Sequence, residues 1–101
     1  MMKKAQIFDS VKSMWQNKLG MKKELVKHLN YVSECFVLNG EYYRLDSFPS
    51  SPDSKEMLYC VEWAENAEEA ALNHFEDAWI YPESLGLNGI LEKMQADILN
   101  T

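Results

Sequence analysis

Asn39 and Gly40 stand between two runs rich in aromatic and β-branched residues, YVSECFVL and EYYRLDSF, and no other stretch constrains the fold as much. Both residues tolerate positive φ, so they can form a type I′ turn whose twist matches that of the flanking strands. The turn then sets the register. Leu38 should face Glu41, Val37 should face Tyr42, Phe36 should face Tyr43 and Cys35 should face Arg44. Val37 and Tyr42 would then share one face of the hairpin, and Phe36 and Tyr43 the other. A lone hairpin is only marginally stable in water, so the rest of the chain must cover it.

Size limits how that can be done. A chain of 101 residues buries roughly two thirds of its unfolded surface, which suits one domain spanning residues 1–101. The 47% hydrophobic and 26% charged fractions exclude a disordered or collagen-like chain. The apolar run Cys35 to Leu38 falls far short of the roughly 20 residues that cross a bilayer, so no membrane partner is expected. The opening MMKKAQIFDSVK has the lysines of a signal peptide but polar residues where its apolar stretch should follow. A cytoplasmic location is therefore expected. Cys35 and Cys60 lack a C-x-x-C or other metal-ligand spacing and lie in predicted strands. They read as buried reduced thiols, with a disulfide between adjacent strands as the alternative.

Ahead of the hairpin, Ile7, Val11, Met14, Met21 and Leu25 recur at steps of three, four or seven, which predicts one amphipathic helix from Ala5 to Leu29. Gly20 interrupts it, so the helix is expected to bend there or to split into two. After the hairpin, SFPSSPDSKE is a loop, and Met57 to Trp63 alternates as a third strand should. The default order is a simple antiparallel meander. Asn66 and Glu69 have capping-box spacing ahead of Ala67, Ala70 and Ala71, predicting a short acidic helix to about Asn73. Phe75 to Pro82 loses helical period and reads as extended or irregular. Leu87, Ile90, Leu91, Met94 and Ile98 predict a C-terminal helix entered near Ser84 or Asn88. The expected fold is α+β, with a long N-terminal helix bent or split near Gly20, a three-stranded antiparallel sheet and two C-terminal helices.

Charge is distributed unevenly behind a net value of −6. Residues 1–30 hold seven lysines against Asp9 and Glu24, whereas residues 31–101 hold Arg44, Lys55 and Lys93 against fourteen acids. Either the two halves lie against each other or each offers a field to a different partner. Nucleic acid is disfavoured, because the chain as a whole is acidic and no aromatic platform is interleaved with the N-terminal lysines.

No phosphate loop, dinucleotide fingerprint, nucleophile elbow or zinc motif occurs, so no catalytic residue, metal or cofactor is assigned. The expected role is a small acidic protein-binding module for a partner with a basic surface, an inhibitor or immunity-type protein being its sharpest form. The residues expected to carry it are Glu65, Glu68, Glu69, Glu76, Asp77, Trp79 and Tyr81, because aromatic rings beside fixed charge characterise interaction surfaces. A homo-oligomer is left open. The alternative is a small hydrolase or metal-dependent enzyme using His74, Glu76 and Asp77, which converge only if the backbone turns there.

Overall fold

The computed structural model describes residues 3–100, which form a five-stranded antiparallel sheet with a helix at either end of the chain. Helix α1 spans Lys4–Asn17 and buries Ile7, Val11, Met14 and Trp15, a spacing that puts all four on one stripe. The expected continuation to Leu29 does not form. Gly20 takes a φ of 71°, Met21 N–H donates to the Trp15 carbonyl at 2.9 Å, and the chain turns into strand β1, Lys22–Lys27. Positive φ suits glycine and is incompatible with a continuing helix.

Strands β2 (Val32–Leu38) and β3 (Glu41–Pro49) form the hairpin, with Phe36 opposite Tyr43, Val37 opposite Tyr42 and Leu38 opposite Glu41. Asn39 and Gly40 both have positive φ, as a type I′ turn requires. Strand β4 (Met57–Ala64) pairs with β3, a five-residue helix α2 (Ala67–Ala71) follows, and β5 (Glu76–Pro82) pairs with β4. The order in the sheet, β1-β2-β3-β4-β5, is the order in the chain. A 3-10 turn, Glu83–Leu85, leads into helix α3, Gly86–Leu99.

Two further corrections follow. The sheet has five strands where three were expected, because β1 replaces the second half of the supposed long helix and the ambiguous segment before Pro82 is β5. One C-terminal helix exists where two were expected, since α2 lies between β4 and β5 and ends at Ala71. Its start is nevertheless capped as its sequence implies, with Asn66 Oδ1 accepting from the Glu69 amide at 2.9 Å.

The main core lies between the two long helices and one sheet face. Ile7, Val11, Trp15, Ile90, Met94 and Ile98 pack there against Phe36, Tyr43, Tyr59, Val61 and Tyr81. Trp15 meets Phe36 edge-on, their ring centroids 5.4 Å apart. Each such fully buried side chain contributes about 1.5–3 kcal/mol of transfer free energy. The opposite face carries a smaller cluster of Cys35, Tyr42, Ala64 and Ala70, flanked by Val26, Val37 and Phe75. The two faces therefore divide the hairpin residues as the turn implies.

Candidate acidic and aromatic surface

The acidic residues gather where β4 ends, α2 crosses over and β5 begins. Glu65, Glu68, Glu76 and Asp77 are exposed, and none has a lysine or arginine at ion-pair distance among the described residues. Glu69 is half-buried, with Oε2 2.7 Å from His74 Nδ1. Strand pairing sets Glu76 opposite Trp63 and Asp77 opposite Glu62, on opposite faces of the sheet. His74, Glu76 and Asp77 thus do not converge. Among the described residues no group of three or more His, Cys, Asp or Glu is placed to hold a metal ion.

Of the two aromatic rings expected at this surface, only Trp79 reaches it, half-buried on β5. Tyr81 is in the core, where its hydroxyl donates to Asp97 Oδ2 at 2.7 Å. Burial, reinforced by that carboxylate, pushes its ionisation well above the ordinary phenol range. A second half-buried ring comes from Trp63, whose Nε1 donates to Glu41 Oε1 at 2.9 Å.

Trp63 is shared by two neighbouring grooves. One, of about 190 Å³, is lined by Trp63, Glu65, Glu69, His74, Phe75 and Glu76. The other, of about 220 Å³, is lined by Glu41, Tyr43, Trp63, Ala78 and Trp79. Neither wall contains a lysine or arginine. A larger groove of about 670 Å³ runs between α1 and α3, past Asp9, Ser13, Lys18, Glu92 and Gln95, and brings together no reactive constellation. The pairing of Glu41 with Trp63 escaped the sequence reading because the two lie 22 residues apart and meet only across the β3–β4 pairing. The available signal was the alternation of Met57 to Trp63, which puts Trp63 on the face of Tyr59 and Val61.

Arg44, the only arginine in the chain, organises the other face. Its guanidinium pairs with Glu62 (Nε to Oε1, 2.9 Å), donates to Ser33 Oγ and Asn73 Oδ1 at 2.9 Å each, and lies 3.7 Å from the Phe75 ring centroid. Ser33 Oγ is also 2.7 Å from His28 Nε2. A serine hydroxyl against an imidazole has the outline of a nucleophile and base. Here Ser33 is buried, Arg44 already occupies its oxygen, and neither aromatic groove includes it. The cluster joins β2, β3, β4 and the segment after α2, which is a structural role.

No protein-family model, curated protein or solved structure matches the chain.

Proposed function

We propose that this protein is a small cytoplasmic binding module that engages a basic protein partner through the acidic end of its sheet, in the manner of an inhibitor or immunity-type protein. One observation carries the reading: Glu65, Glu68, Glu76 and Asp77 are exposed around one end of the sheet, Glu76 and Asp77 on its opposite faces, and none has a cationic partner among the described residues. Stability does not explain such a collection, because even paired surface charges contribute only about 0–1 kcal/mol each and unpaired like charges repel. A concentrated negative field does accelerate encounter with a positive surface. Two buried, unbonded thiols accord with a reducing compartment, and among the described residues no helix is long and apolar enough to cross a membrane.

The test replaces Glu68, Glu69 and Glu76 together by glutamine. The partner captured from native extract at low salt is purified, and its association rate is measured by stopped flow. The triple variant should fold normally and associate about tenfold more slowly at low salt, the difference fading as screening increases. A rate unaffected by either the substitutions or salt would remove the acidic surface from the mechanism.

A further inference from the structure

The groove of about 220 Å³ differs from a bare acidic patch in its construction. Its walls are three aromatic residues, Tyr43, Trp63 and Trp79, closed by Ala78 and by the carboxylate of Glu41. Tyr43 is fixed in the core, with Trp15 packed 6.4 Å away between ring centroids, so the floor of the groove is rigid. The bond from Trp63 Nε1 to Glu41 Oε1 holds the indole and the carboxylate in fixed relation. Glu41 has no cation at ion-pair distance among the described residues, and no residue of α1 or α3 lines the groove. Aromatic faces attract cations through their quadrupole, and a carboxylate beside them adds a charge-assisted acceptor. The neighbouring groove across Trp63 adds Glu65, Glu69 and Glu76 to the same negative field.

Resting on the binding-module reading above, we propose that this aromatic groove receives one arginine side chain of the basic partner, the guanidinium stacking on Trp63 or Trp79 and donating to Glu41. Arginine fits better than lysine because its planar, weakly hydrated head group both stacks on indoles and forks onto a carboxylate. The acidic residues around α2 would then govern the rate of encounter, and the groove would govern specificity and residence.

The experiment titrates the isotopically labelled protein with N-acetyl-arginine amide and follows the indole N–H signals of Trp63 and Trp79 by NMR. Neutral N-acetyl-citrulline amide serves as the shape control, and tetramethylammonium as a compact cation. Saturable movement of both indoles with the arginine probe, absent with citrulline and weakened about fivefold or more in Glu41→Gln, supports the assignment. Glutamine can still accept from Trp63 Nε1, so this variant removes the charge without removing the bond. Equal response to citrulline, or no effect of Glu41→Gln, would overturn it. Tighter saturation by tetramethylammonium would also overturn it and assign the groove to a small quaternary amine. The triple glutamine variant around α2 separates the two readings: no response to arginine amide, with salt-dependent steering of the partner intact, sinks the groove and leaves the acidic surface standing.

Discussion

Glu34 on β2 joins the basic N-terminal part of the chain to the acidic remainder. Lys12 of α1 approaches its carboxylate to 2.6 Å and Lys23 of β1 to 3.0 Å. The Lys12 hydrogen bond, against some opposition from burial and with help from Lys23, holds the carboxyl below its ordinary range. A depressed carboxylate contributes stability that is complete above its unfolded pKa and is lost as pH falls through the folded one. Because all three side chains are partly exposed, the contribution is at most about 1 kcal/mol. Urea unfolding of Glu34→Gln at pH 7 should accordingly show a loss of about 0.5–1 kcal/mol, and the two proteins should converge well below the ordinary carboxylate range. A gap that persists in acid would mean that the amide disturbs packing and that charge is not the cause.

Gly20 decides between two secondary structures for the same letters. Met21 and Leu25 lie four residues apart and Lys and Glu favour helices, so the pattern across residues 21–27 imitates a continuing helical stripe. These residues form an edge strand instead, and its outward lysines hide the alternation a half-buried strand would display. The hairpin, by contrast, was legible from Phe36 to Tyr43, because turn geometry is local and the two faces follow from it. The C-terminal helix was legible from its period. Tyr81 was misplaced because an aromatic in a strand does not announce which way it points. The groove at Trp63 was invisible because it exists only once β3, β4 and β5 are paired. Gly20→Ala distinguishes the alternatives by sign. In a helix interior alanine would stabilise by about 1 kcal/mol; at a φ of 71° with open space around the position it should destabilise by about 1 kcal/mol. Equilibrium denaturation measures which holds.

Across the whole molecule, the two thiols report how cooperatively the layers hold together. Cys35 on β2 and Cys60 on β4 are fully buried and unbonded, and burial raises their thiols to about 11 and about 12. Disulfide-exchange reagents should therefore find almost no reactivity in the native state and two equivalents after unfolding. Both thiols should become reactive over the same denaturant range in which tryptophan fluorescence changes. Early exposure of Cys60 alone would reveal that β5 detaches before the rest. The packing of α1 beside α3 has a further consequence, in time. Every strand pairs with its neighbour in the chain, so the sheet can grow hairpin by hairpin as residues emerge during synthesis, closing only short loops. The helix layer cannot follow that schedule. Ile7, Val11 and Met14 emerge before the strands, yet their core is completed by Ile90, Met94 and Ile98, so α1 waits for α3 before its apolar stripe is sealed.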